Sequence, residues 1–248
     1  MTDIDWPKKF RAARADDQLA ILEGFHPLKH ALGCHADVLD VVTDDIEEVL
    51  ALSQHFSPGL TSVIETSTAV VSQELFLQLH RDARRTEVLA IARRNIVSAD
   101  AVLNERREAP LVLLEEPTHH GNIGAVIRVA ASAGASAVVT TGKHDPWHAE
   151  ALRGSAGLHY AVPVARATGL GAYQGPLVAF EPDGETLRLG DIPTDAILAF
   201  GSERRGLSKE LLAKADQCIS IPMQPGVSSM NLASAVAVAL YAWRLAKT

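Results

Sequence analysis

Three short clusters in the second half of the chain carry residue types able to do chemistry. The first is His119-His120-Gly121-Asn122-Ile123-Gly124, followed by Arg128. The second is Gly201-Ser202-Glu203-Arg204-Arg205-Gly206. The third runs Ile221-Pro222-Met223-Gln224-Pro225-Gly226-Val227-Ser228-Ser229-Met230-Asn231. Asn and Ser side chains both give and accept hydrogen bonds, Glu only accepts when ionised, and Arg presents a fixed fork of donors. Each type also has a plainer use. Glu203 can pair with Arg204 or Arg205, and Ser228, Ser229 and Asn231 can cap a helix.

The elements around these clusters place them alike. Leu111–Leu114 is a buried-strand run that leads into the first cluster. A helix follows, with Val126, Val129, Ala130 and Ala133 on one face, and Gly134 suits its end. Arg128 falls off that face and is free to point at a site. Ile197–Phe200 is a strand that stops at Gly201, where Gly201 and Gly206 bracket a tight loop. Ser208 then caps a helix over Lys209–Ala215. Cys218–Ile221 is a strand ended by Pro222 and Pro225-Gly226. The alanine-rich helix beyond it buries Leu232, Ala235, Val236, Ala239, Leu240 and Trp243. Further strands fit Val138–Thr141, Tyr160–Val164 and Leu177–Phe180. The spacing predicts a mostly parallel sheet covered on both faces. A strand, a polar loop and a helix N-terminus together make a natural ligand site. The six-residue dinucleotide fingerprint is missing from the first cluster, which argues against a dehydrogenase.

Asn122-Ile-Gly-Ala-x-x-Arg128, Gly201-x-Glu-x-x-Gly206 and Ile221-Pro-Met-x-x-Gly-x-x-Ser-x-Asn231 resemble, in order, the three motifs of the SpoU/TrmH branch of the SPOUT RNA methyltransferases. Any one alone would be weak; three in order over residues 111–245 are specific. Met230 stands where the family usually has leucine, and Ala233 where a second serine is common. Methionine conserves volume and alanine keeps the helix, so activity is expected to survive both.

The resemblance implies an α/β catalytic domain over 109–248, a SPOUT domain with a parallel sheet and a deep trefoil knot. It implies S-adenosylmethionine as cofactor, held near Gly201, Ile221 and Met230, with Phe200 and Thr140 close by. It implies methyl transfer to a ribose 2′-hydroxyl of ribosomal or transfer RNA by a homodimer. Arg128 is the first candidate for catalysis. A guanidinium stays charged, so clamping the RNA phosphate and orienting the hydroxyl suits it better than taking a proton. Asn122, Glu203, Ser229 and Asn231 would complete the site. The rival readings are base methylation and a knotted RNA-binding protein without activity.

Residues 1–108 read as a separate small α/β domain, with the polar run Asn104–Pro110 as the linker. Strands are expected at Val38–Val42, Val63–Glu65 and Val88–Ala92, and helices at Ile46–Leu52 and after Ser72. Gly24-x-His-Pro-Leu28 resembles the opening of the ribosomal-protein-like RNA-binding domain that precedes the catalytic domain in many SpoU-type enzymes. Residues 1–20 read as a solvated helical lead-in. Arg81, Arg84, Arg85, Arg93 and Arg94 form a basic cluster suited to phosphate or to solvent.

Composition narrows the class further. The net charge of −7 argues against a protein that coats nucleic acid by bulk charge. The acidic excess lies in the first half, and the half with the three clusters is near neutral. Cys34 and Cys218 are the two cysteines and neither has a CxxC partner, which argues against zinc or a disulfide framework. His144 and His148 lie four apart but lack a nameable third ligand, so no metal site is expected. There is no long apolar run and no apolar leader, which points to the cytoplasm.

Overall fold

The computed structural model describes residues 4–80 and 86–247. The chain divides into two compact units. The first is Met1–Asn95 together with Ala156–Ala161, and the second is Ile96–Ser155 together with Val162–Thr248. Residues 96–108, grouped by sequence with the first domain, belong to the second unit.

The first unit is a four-stranded mixed sheet with helices. Its strands are β1 (Leu19–Glu23), β2 (Val38–Thr43), β3 (Thr68–Val70) and β4 (Leu89–Arg93), in the order β1-β4-β2-β3. β4 runs antiparallel to β1 and β2, and β3 runs parallel to β2. The helices are α1 (Trp6–Ala15), α2 (Phe25–Gly33), α3 (Ile46–Phe56), α4 (Thr61–Ser67) and α5 (Gln73–Leu79). The lead-in is more than a solvated helix, because Trp6, Phe10 and Ala13 of α1 pack with Ile21, Val42, Phe76 and Leu89. The strand expected at Val63–Glu65 is helix α4, which buries Ile64. The β-branched pair Val63-Ile64 reads as a strand, but Thr66 and Ser67 return their hydroxyls to the helix carbonyls of Ser62 and Val63. Arg81, Arg84 and Arg85 lie outside the described residues.

The second unit is a six-stranded sheet in which every pairing is parallel. Its strands are β5 (Leu111–Leu114), β6 (Ala137–Thr140), β7 (Val164–Arg166), β8 (Leu177–Thr186), β9 (Ile197–Phe200) and β10 (Gln217–Ser220), in the order β10-β8-β9-β5-β6-β7. The helices are α6 (Ala99–Asn104), α7 (His120–Ala133), α8 (Ala149–Gly154), α9 (Lys209–Lys214) and α10 (Leu232–Leu245). The strand expected at Tyr160–Val164 begins only at Val164; Tyr160 sits in a 3-10 turn and belongs to the first unit.

Strand alternation separates two cores. Val112 and Leu114 face Ile123, Val126 and Ile127 of α7 and Val236 and Leu240 of α10. Leu111 and Leu113 face Leu103 of α6 and Leu211 of α9. Burial on both faces is why these strands read as unbroken apolar runs. Gly134 ends α7 in the left-handed region at φ 75°, where a side chain would be strained. Buried Arg107 ties the α6 end to two loops by donating to the carbonyls of Val102, Leu103, Gln174 and Asp195.

Candidate active site

The loops after β5, β9 and β10 meet beside Phe180–Pro182 of β8 at the C-terminal edge of the second sheet. Open parallel sheets bind their ligands there. The loops enclose a cavity of about 660 Å³. Its apolar wall includes Phe180, Phe200, Ile219, Ile221, Met230 and Leu232. Phe180 and Phe200 stack with centroids 4.6 Å apart. Asn122, Gly201, Glu203, Ser229 and Asn231 supply the polar side.

One hydrogen-bonded relay joins the three sequence clusters. Asn231 caps α10, its Oδ1 accepting from the N–H groups of Ala233 at 2.9 Å and Ser234 at 3.3 Å. This leaves the Asn231 amide nitrogen to donate to Asn122 Oδ1 at 3.1 Å. The Asn122 amide donates onward to Glu203 Oε1 at 2.7 Å. Glu203 Oε2 accepts from the Thr118 backbone N–H at 3.0 Å and the Thr118 hydroxyl at 2.6 Å. Burial alone would raise the Glu203 carboxyl. The donors from Thr118, Asn122 and the backbone outweigh burial and bring it down to about 2. Glu203 is therefore a fixed anion that orients two amides.

Of the three capping candidates, Asn231 is the N-cap of α10, and Ser229 lines the cavity. Glu203 bonds Thr118 and Asn122, while Arg205 stands 4.0 Å from Glu116 instead. Gly201 is packed so tightly that a Cβ there would lie 2.0 Å from the Gly206 carbonyl carbon. Two residues singled out from sequence are not on this wall. Thr140 is fully buried in β6, and its hydroxyl has no hydrogen-bond partner. Arg128 is exposed on α7, about 9 Å along the axis from Asn122 at an ordinary helical rise.

Sequence reasoning missed Thr118, whose only signal was its place between a strand and the first cluster. It also missed Glu115, which accepts from the Ser208 N–H at 2.6 Å and the Ser208 hydroxyl at 2.7 Å, locking the start of α9 to the end of β5. A neighbouring cleft of about 540 Å³ is lined by Thr118, His119, Lys143, His144, Arg204 and Arg205, with Glu116 as its one carboxylate. His119, Ser202 and Arg204 belong to both the cavity and this cleft. Beside it, the rings of His120 and His148 stack at 3.9 Å, with His144 5.0 Å from His120.

A parallel sheet with an amphiphilic cavity at its carboxyl edge is the architecture of an α/β protein that binds a small organic ligand there. The SpoU rRNA Methylase family model matches residues 109–241. The chain belongs to that family. It is 31% identical over 175 residues to a 23S rRNA (adenosine(1067)-2′-O)-methyltransferase of Streptomyces laurentii, covering 66% of this chain and 64% of that one, just under two thirds of the relative's length. It is 28% identical to the 23S rRNA (guanosine(2553)-2′-O)-methyltransferase RlmP of Bacillus subtilis, covering 96% of this chain and 93% of that one. The fold matches the SpoU methyltransferase AviRb of Streptomyces viridochromogenes, solved with AdoMet, at TM-score 0.76 and 21% identity over 99% of this chain and 98% of that one.

Proposed function

We propose that the protein uses S-adenosylmethionine to methylate a ribose 2′-hydroxyl of ribosomal RNA. The observation that carries this reading is the Asn231–Asn122–Glu203–Thr118 relay, which gathers all three family motifs at the mouth of one cofactor-sized cavity. The residues fit the cofactor. Stacked Phe180 and Phe200 with Ile221 and Met230 offer apolar faces for a flat adenine, and the Gly201 loop brings backbone groups to the same wall. When bound, S-adenosylmethionine supplies a methyl group already activated on a sulfonium.

The residues of the chain then have to bring a hydroxyl into line and exclude water. Asn122 and Asn231 are held in fixed orientations by the anionic Glu203 and by the α10 N-cap. Ser229 lies on the same wall and can hydrogen-bond the ribose. Arg128 clamps an RNA phosphate. The cationic cleft with Lys143, Arg204 and Arg205 takes the flanking phosphates, and it shares its wall with the cavity, so the strand passes the methyl donor.

The larger assembly is part of the same proposal. The first unit, covering most of residues 1–108, binds RNA in the manner of a ribosomal-protein-like domain, and the 109–248 domain carries a deep trefoil knot. The active species is a homodimer. Its support is the exposed α10 stripe Val238, Tyr241 and Leu245, which repeats at helical spacing and faces away from the core. Arg128, off the cavity wall of its own chain, then reaches a shared site. Among the described residues no helix is long and apolar enough to cross a membrane, in keeping with action on RNA in the cytoplasm.

Calorimetric titration with S-adenosylmethionine and S-adenosylhomocysteine tests the reading. Saturable binding of both, lost when Met230 and Phe180 are replaced by charged residues, is the expected result. A folded protein that binds neither ligand, with or without RNA, would overturn it.

A further inference from the structure

We propose that His120, His148 and Glu150 form a binding site for a divalent transition-metal ion, with Zn²⁺ the best chemical match. This is separate from methyl transfer and does not rest on it. The ligand atoms of these three residues lie within 4.8 Å of one another. His120 Nδ1 stands 3.8 Å from Glu150 Oε2. The His144 ring lies 5.0 Å from that of His120, outside the three-residue ligand set. Two imidazoles and a carboxylate, with room for a fourth ligand, are a set that zinc takes readily.

The backbone holds this group together. His120 opens α7, while His148 and Glu150 sit at the start of α8, and glycines let the two helices touch. A Cβ on Gly124 would lie 2.2 Å from the Ala151 carbonyl oxygen, and one on Gly154 would lie 3.0 Å from that of Gly121. This close backbone contact along α8 brings the side chains of His120, His148 and Glu150 together. The stacked His120 and His148 rings are the result.

Closing on an ion requires only small movements. Tetrahedral bonds of about 2.0–2.2 Å place ligand atoms roughly 3.3 Å apart. Glu150 is 63% exposed and free to turn inward. His148 Nδ1 now accepts the Glu150 N–H over a long 3.3 Å, and a metal would take that lone pair in exchange. The positive N-terminus of α7 works against a cation at His120, so binding depends on all three ligands. The bound ion would fix the 142–150 segment, which carries Lys143 and His144 of the cationic cleft.

The test is calorimetric titration of chelator-treated full-length protein with Zn²⁺, repeated with His120→Ala, His148→Ala and Glu150→Gln. Circular dichroism checks that each variant is folded. One ion per chain is expected, with affinity lowered in each variant by at least the roughly tenfold that losing a mere supporting partner costs. Absence of saturable binding, or binding unchanged in both histidine variants, would overturn the site. Neither outcome depends on whether the protein transfers methyl groups.

Discussion

The Asn122 amide donates to the Glu203 carboxylate at 2.7 Å, joining the first turn of α7 to the loop after β9. Neither residue acts alone. Glu203 sets which end of the Asn122 amide points toward Asn231, and Asn231 in turn is tied to the start of α10.

Replacing Glu203 with Gln should therefore misplace both amides. A displacement of about 1 Å at such a site costs on the order of a hundredfold in rate, and single-turnover methyl transfer would measure it. The same variant has a pH signature. The folded carboxyl lies at about 2 against an ordinary 4.5. Its stabilising contribution is complete above the ordinary value and fades as pH falls from there toward 2. Wild type should melt above Glu203→Gln at neutral pH, and the gap should narrow below pH about 4. A gap that stays constant down to acid would mean the carboxylate is not held by these donors.

Asn231 serves two purposes that substitutions can separate. Asn231→Ala removes the cap and should cost about 1 kcal/mol in chemical denaturation. Asn231→Asp keeps an oxygen for the Ala233 and Ser234 N–H groups but has no donor for Asn122. It should melt near wild type yet lose methyl-transfer activity. An Asp variant with full activity would remove the relay from the account.

Gly201 has no room for even a methyl group, since a Cβ would lie 2.2 Å from both Gly206 O and Leu207 N. Gly201→Ala must shift the 201–206 loop, at a cost of about 1–3 kcal/mol for overpacking. Because that loop lines the cavity, S-adenosylmethionine affinity should fall together with stability. Denaturation and calorimetry on the same preparation would check the coupling.

The cationic cleft predicts a split between the two substrates. Lys143→Glu combined with Arg205→Glu should raise KM for RNA and flatten its salt dependence by about two phosphate contacts. The dissociation constant for S-adenosylmethionine should stay within about twofold of wild type, since neither residue lines the cavity. An unchanged KM for RNA would place the RNA path elsewhere.

Much of this architecture was legible in the sequence because the second unit is built by simple rules. Its central strands are buried on both faces, and α7 and α10 each turn an apolar stripe to the core, so periodicity found them. The three motifs located the cavity, and eight of the ten residues named for the site lie on its wall, all but Thr140 and Arg128. Local pattern failed where distant residues decide. β1 was hidden at the end of a charged segment, and the Val63-Ile64 pair took helical form in α4. Thr118 and the His120–His148–Glu150 group are products of backbone contacts between segments far apart in the chain, and no spacing rule announces them.

The most direct test is to incubate the purified protein with methyl-labelled S-adenosylmethionine and ribosomal RNA, digest the product, and identify the labelled nucleoside. The account predicts label in a single 2′-O-methylated nucleoside, and its loss in Arg128→Ala with S-adenosylmethionine binding retained. Label on a base, or full turnover by Arg128→Ala, would contradict it.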